Sequence, residues 1–115
     1  MEITERIGEF SRKELYKMTK DASILQMKNV PDETEIEVSK YLTFEDEKEN
    51  GEVTTVHSIL STDGTVYAYQ SKTFDKSLRD IAEIMTDGTF NEPFTIKKVS
   101  GKTKSGRDFI NCALV

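Results

Sequence analysis

Five stretches of this chain alternate apolar and polar residues with the period of two that is typical of β-strands. They lie at residues 34–45, 53–61, 65–70, 94–99 and 107–115. In the first stretch, four apolar residues share one parity and are expected to face the core: Ile36, Val38, Leu42 and Phe44. Lys40 interrupts this inward set, so we predict a β-bulge or a strong bend near Ser39-Lys40.

Other apolar spacings predict two helices. A short helix is expected to begin at Ser11, because Ser11 and Glu14 fit a capping box and Phe10 fits a hydrophobic staple. Its short apolar face would contain Leu15, Tyr16 and Met18. Residues 23–28 are expected to add another helical turn. A longer helix is predicted from apolar residues that recur at spacings of four, three and four, namely Phe74, Leu78, Ile81 and Met85.

The order of these elements predicts the fold class. Turns at Asn50-Gly51 and at Asp63-Gly64 join the first three strands into a meander, the long helix follows, and a hairpin closes the chain. This order predicts a mainly β (α+β) fold, a five-stranded OB-like barrel with a helix between strands 3 and 4 and a short N-terminal helix. The alternative is an α+β sandwich with one helix on an open sheet. Residues 1–115 are expected to form a single OB-like domain, with residues 1–30 packed on it as an N-terminal helical extension.

Composition excludes several classes of protein. No run of about 18 apolar residues exists, so we expect no membrane span, and the acidic start of the chain predicts a cytoplasmic protein. One cysteine and one histidine form neither a disulfide nor a metal cluster. Cys112 is expected to be a small apolar filler with a raised pKa, and His57 a half-buried strand residue. Without paired carboxylates, a phosphate loop or a triad, we expect neither catalysis nor a cofactor.

Charge is segregated along the chain, although the net charge is −5. Residues 32–52 contain nine acidic residues, whereas residues 97–107 contain five basic ones and no acidic one. These five are the candidate phosphate contacts: Lys97, Lys98, Lys102, Lys104 and Arg107. A local positive field holds a polyanion even on an acidic protein. The alternative is a solvated hairpin tip that keeps the sheet edge soluble. A second basic group flanks the first helix: Arg12, Lys13, Lys17 and Lys20.

Three tyrosines are candidates for stacking on nucleic-acid bases. Tyr41, Tyr67 and Tyr69 have the parity opposite to the inferred core residues of their strands, so they are expected to form an exposed platform. The alternative is that they pack under the N-terminal helix as part of the core. Four phenylalanines match the core parity or helical phase and are expected to be structural: Phe44, Phe74, Phe94 and Phe109.

Two segments, residues 7–15 (IGEFSRKEL) and 100–110 (SGKTKSGRDFI), resemble the small OB-fold single-stranded-DNA-binding proteins of Gram-positive phages and mobile elements. The resemblance covers most of the chain. It implies a non-catalytic protein that binds single-stranded DNA without sequence preference, in DNA replication or recombination, in the cytoplasm of a bacterial host cell. The chain departs from bacterial housekeeping proteins of this class, because it has no Trp for stacking and no acidic tail.

The sequence leaves several further ligands and partners as candidates. RNA is a second candidate ligand, replication proteins are candidate partners, and the apolar strand end at residues 112–115 predicts an edge along which two copies pair as a homodimer. The alternative function is an acidic protein-interaction module, in which the acidic segment 32–52 binds a host protein or imitates DNA.

Overall fold

The computed structural model describes residues 1–115 and has a mainly β fold with two helices. Its elements are β1 (Glu2–Ile7), α1 (Arg12–Thr19), β2 (Leu25–Gln26), a 3₁₀ turn (Met27–Asn29), β3 (Glu35–Glu47), β4 (Val53–Ser61), β5 (Val66–Tyr69), α2 (Lys72–Met85), β6 (Phe94–Lys102) and β7 (Asp108–Leu114). All five predicted strands form, and β1 and β2 are additional. Neither helix has the length and apolar character that crossing a bilayer requires.

The strands form one curled sheet, a half-barrel, in the order β2-β5-β4-β3-β6-β7. The predicted meander is present as β3-β4-β5, and the predicted closing hairpin as β6-β7. Two strands pair with the edge of β3 that lies opposite β4. β6 pairs with the first half of β3, and β1 pairs with the second half. The sheet path ends at β2 and β7, so a seam separates the β5 side of the sheet from β7.

A bulge in β3 reverses the direction of its side chains. The register with β4 shifts between Val38 and Lys40, which confirms the predicted irregularity at Ser39-Lys40. One extra residue exchanges the two faces of a strand. Ile36, Val38 and Tyr41 therefore lie in one core cluster, whereas Leu42 and Phe44 lie in another. All four predicted core residues of β3 are buried as expected, but they lie on two faces, and the expectation that Tyr41 points outward was wrong.

Both faces of the meander are covered. On one face the larger cluster includes three residues of α2, Phe74, Leu78 and Ala82, each fully buried. On the other face α1 contributes Met18, which packs with Leu42 and Phe44. In the second half of β3 and at the end of β4, strand parity therefore tells which layer covers a side chain and does not separate core from solvent.

The N-terminal third differs from its prediction in two places. The capping box forms, with the Ser11 hydroxyl accepting from the Glu14 amide and the Glu14 carboxylate accepting from the Ser11 amide. Tyr16, however, is 60% exposed, so its expected place on the apolar face of the helix was wrong. Residues 23–28 form β2 and the start of the 3₁₀ turn, where a helical turn was expected.

Candidate nucleic-acid interface

The β6-β7 hairpin presents its cations at a well-defined turn. The Thr103 amide donates to the Arg107 carbonyl, and the Gly106 amide donates to the Thr103 carbonyl, both at 2.9 Å. Gly106 has a φ of +84°, which only glycine adopts without strain. Lys104 and Arg107 are exposed and have no carboxylate within ion-pair distance. The positive charge at this tip is therefore free to meet an anion.

Lys102 is only loosely neutralised. Its ammonium lies 3.7 Å from the Asp108 carboxylate, and both side chains are largely exposed. A solvated pair of this kind contributes little free energy, about 0–1 kcal/mol. An incoming phosphate therefore competes easily for Lys102.

The other two candidate lysines of this segment do not join the hairpin tip. Lys98 is 4% exposed, and its ammonium donates to the Val30 carbonyl at 2.6 Å. It also lies 3.5 Å from the Asp32 carboxylate. Lys97 is half-buried and pairs with Glu33 at 3.1 Å. The expected ridge of five free cations was wrong at Lys98, because acidic residues distant in sequence meet the strand here.

Two of the three candidate tyrosines are buried, so the expected exposed platform was wrong for them. Tyr41 and Tyr69 are each 3% exposed. The Tyr69 hydroxyl donates to Asp75 at 2.8 Å, and its ring packs against Phe74. The Tyr41 hydroxyl is buried without a partner, and burial raises the pKa of Tyr41 to about 12. Only Tyr67, which is half-buried, borders the surface.

Tyr67 stands at one end of a groove that follows the seam of the sheet. Three adjoining depressions make up this groove, since the middle one shares Gln26 with one neighbour and Lys28 with the other. The seam is narrow at Ser71, whose hydroxyl lies 3.5 Å from the Ile110 carbonyl of β7. We call this feature the seam groove and define it by six residues: Leu25, Gln26, Lys28, Tyr67, Phe109 and Ile110.

Phe109 lines the end of the seam groove next to the basic hairpin. Its ring lies over Gly101, its cross-strand partner, and a Cβ placed on Gly101 would meet the ring at 2.7 Å. Because Gly101 has no side chain, the ring has room to lie over the backbone of β6. Phe109 is half-buried, and the expectation of a purely structural role overlooked its place in the lining of the groove. The sequence signal that could have identified this ring is its spacing, because Phe109 follows the basic residue Arg107 by two positions in the predicted hairpin.

Lys28 adds a cation to the middle of the seam groove. It is exposed and has no ion-pair partner. The turn that carries it is fastened to β6, because buried Lys98 donates to the Val30 carbonyl and lies 3.5 Å from the Lys28 carbonyl. The sequence reasoning missed Lys28, since it is isolated in the chain and joins the other cations only through the fold.

The β3-β4 hairpin has the same turn geometry with the opposite charge. The Lys48 amide donates to the Glu52 carbonyl at 2.8 Å, and the Gly51 amide donates to the Lys48 carbonyl at 2.9 Å. Gly51 has a φ of +85°, as Gly106 does in the basic hairpin. Acidic residues surround this turn, including Glu49 where the basic hairpin has Lys104. The two hairpins therefore form a natural pair for comparing charge at constant geometry.

A polar network lies beside α2 and connects it to β1 and β4. The Asp75 carboxylate accepts from Arg79 at 2.7 Å, and the Arg79 guanidinium also pairs with Glu5 of β1. Burial opposes the charge on Arg79, but hydrogen bonds to Glu5 and Asp75 outweigh it and raise the pKa of the guanidinium. His57 lies 3.4 Å from Asp75, and burial lowers the pKa of His57 despite that carboxylate. The network ties β1 to α2.

Cys112 and His57 are the two other side chains that the sequence singled out for their chemistry. The Cys112 thiol is buried, and burial raises its pKa to about 12, which confirms the prediction of an inert apolar filler. Neutral thiols are poor nucleophiles. His57 is half-buried in β4, as predicted. No group of three acidic, histidine or cysteine side chains is arranged to hold a metal ion.

The known proteins that are similar to this chain are single-stranded DNA-binding proteins. A family model described as phage single-stranded DNA-binding protein, of the phi29 type, matches residues 12–115. The single-stranded DNA-binding protein of Bacillus phage PZA is 31% identical over 90 residues, which cover 76% of this chain and 72% of that protein. The single-stranded DNA-binding protein of Bacillus phage phi29 matches with the same identity and coverage. No solved structure matches the chain.

Proposed function

The chain belongs to the family of phage single-stranded DNA-binding proteins, and we propose that it holds the single strand along the seam groove, with the β6-β7 hairpin on the phosphates. The family membership confirms the predicted resemblance and the predicted ligand, single-stranded DNA.

One observation carries the location. Free cations and an aromatic ring belong to one hairpin: Lys104 and Arg107 are exposed at its turn, and Phe109, two residues after Arg107, lines one end of the seam groove. Lysine and arginine bind phosphates through charge, and exposed rings stack on bases at about 1–3 kcal/mol per base. Lys28 continues the positive charge along the groove, and Tyr67 supplies a second ring at the far end.

Binding of this kind has no sequence preference, because phosphate contacts and stacking are common to all four bases. The acidic β3-β4 hairpin repels the phosphate backbone and restricts the strand to the basic side.

We propose that the half-barrel functions as one OB-like domain over residues 1–115, with five barrel strands, α2 between the third and the fourth of them, and residues 1–30 packed on it. We also propose that the protein is non-catalytic and acts in phage DNA replication or recombination in the host cytoplasm. Binding of RNA, a homodimer through β7 and contacts with replication proteins stay predictions.

The test compares two double variants of equal charge change. K104A/R107A removes the two free cations of the hairpin, whereas K48A/K76A removes two exposed lysines that pair with Glu52 and Asp80 at i,i+4. Each lost phosphate contact flattens the plot of log K against log salt by about 0.7 for a single strand, so the hairpin variant should lose about 1.4 of the slope. At 0.1 M salt this corresponds to about 25-fold weaker binding of oligo-dT.

Fluorescence anisotropy with labelled oligo-dT, a mixed-sequence oligonucleotide and a duplex gives the readout. The control variant should retain the wild-type slope, and the two single strands should bind with similar affinity. An unchanged slope in K104A/R107A would exclude the hairpin as the phosphate-binding element.

A further inference from the structure

The exposed face of α1 carries a second basic surface that the seam groove does not use. At 100° per residue, five residues of the helix and its C-cap fall within an arc of about 140°: Arg12, Lys13, Tyr16, Lys17 and Lys20. Fully buried Met18 lies on the opposite side. No acidic residue falls inside the arc. We call these five residues the α1 face.

An exposed tyrosine lies near the middle of this surface. Tyr16 is 60% exposed, more than any other tyrosine of the chain, with Arg12 one turn before it and Lys20 one turn after it. Residues three or four apart are neighbours on a helix surface. The arrangement therefore places an accessible ring between cations, as on a surface that stacks bases and contacts phosphates.

Two of the four cations of the α1 face are free, whereas Lys17 is half-buried with its ammonium beside Gly64 of the β4-β5 turn. Arg12 and Lys13 have no carboxylate within ion-pair distance, because the neighbouring Glu14 already accepts from Ser11 and from Lys40 at 2.9 Å. Lys20 pairs with Asp46 at 3.0 Å in a half-exposed position, where such pairs contribute little. Positive charge in the first turn also opposes the helix dipole, so Arg12 and Lys13 do not stabilise α1.

The α1 face lies close to the seam groove along the chain. Only residues 21–23 separate Lys20 from Ile24, which lines the same end of the groove as Leu25 and Tyr67. Four Cα steps of 3.8 Å limit this distance to about 15 Å. A strand that leaves the groove past Tyr67 therefore reaches Lys20 and Tyr16 without a long gap.

On the basis of the proposed function, we propose that the α1 face extends the single-strand track beyond the seam groove, with Tyr16 stacking on a base and Arg12 and Lys13 contacting phosphates. The exposed ring favours nucleic acid over an acidic protein partner, since such a partner would need the cations alone. The track then runs from the β6-β7 hairpin through the groove to α1.

The test uses two oligonucleotide lengths at the limits of OB-fold site sizes, dT of about 4 and about 16 nucleotides. R12A/K13A/Y16A should bind the longer oligonucleotide at least about tenfold more weakly and flatten its salt slope by about 1.4. It should bind the shorter one as the wild type does, because that one fits within the groove. K48A/K76A is the matched control, and circular dichroism checks that the helices are intact.

A second variant tests the ring separately. The chain has no Trp, so its intrinsic emission comes from tyrosine. Y16F should retain affinity for the longer oligonucleotide, because phenylalanine also stacks, but should lose part of the emission quenching that this oligonucleotide causes in the wild type. Equal quenching in Y16F and the wild type would show that Tyr16 does not stack.

The outcomes separate the two proposals. Wild-type affinity of the triple variant for both lengths overturns the extended track, leaves the proposed function intact and makes an acidic protein the partner to test on this face. An equal loss at both lengths also overturns the extension, since the face would then belong to the primary site. If the wild-type protein binds neither oligonucleotide, the proposed function itself is wrong.

Discussion

Replacing Lys98 tests whether this residue is a buried structural cation or a phosphate ligand. In K98M the unbranched chain keeps its volume, but the hydrogen bond of 2.6 Å to the Val30 carbonyl is lost. The interaction of the ammonium with Asp32 at 3.5 Å is lost as well. A hydrogen bond to a charged group contributes about 1.5–3 kcal/mol, and a side chain that is 5% exposed experiences little solvent screening.

This loss has a measurable size. For a chain of this length, 1 kcal/mol shifts Tm by about 4 °C, so K98M should melt about 6–12 °C below the wild type in circular dichroism. Its salt slope for oligo-dT should not change, whereas loss of a phosphate contact would flatten the slope by about 0.7. K97M is the control, because the Lys97–Glu33 pair is partly exposed to solvent and its loss should cost little. An unchanged Tm together with a flattened slope would restore Lys98 as a phosphate ligand and refute the structural account.

Two further predictions concern the groove ring and the buried histidine. F109L should weaken oligo-dT binding several-fold without changing the salt slope, because leucine fills the space but has no π-face; undiminished affinity would exclude stacking at Phe109. Burial lowers the pKa of His57, so the unfolded chain takes up a proton first as the pH falls. Urea titrations should show stability falling between about pH 7 and about pH 5, and H57Q should reduce that fall; an identical pH profile in H57Q would contradict this assignment.

The sequence predicted the features that depend on local order. The five predicted strands, their three hairpins, the capping box at Ser11 and the irregularity at Ser39-Lys40 follow from neighbouring residues alone. β1 escaped prediction because Glu5 occupies an inward position of its alternation. The structure gives the reason, since Arg79 of α2 pairs with this carboxylate from across the fold.

The exposure of individual side chains was harder to predict, because it depends on what covers each face. Tyr41 reversed direction through the bulge, and α2 covers the face on which both Tyr41 and Tyr69 lie. Lys98 stood in a segment without acidic residues, yet Asp32 and the Val30 carbonyl meet it from more than 60 positions away. Lys28 and Phe109 come together only across the seam, where no sequence pattern connects them.

Amide chemical-shift mapping of the ¹⁵N-labelled protein with oligo-dT tests the location of the strand most directly. We expect the largest changes at residues 102–109 of the basic hairpin and at residues 25–28 and Tyr67 along the seam groove. The acidic β3-β4 hairpin, which has the same turn geometry, should show little change. Large changes at residues 47–52, or around His57 and Asp75, with an unaffected basic hairpin would contradict the proposed interface.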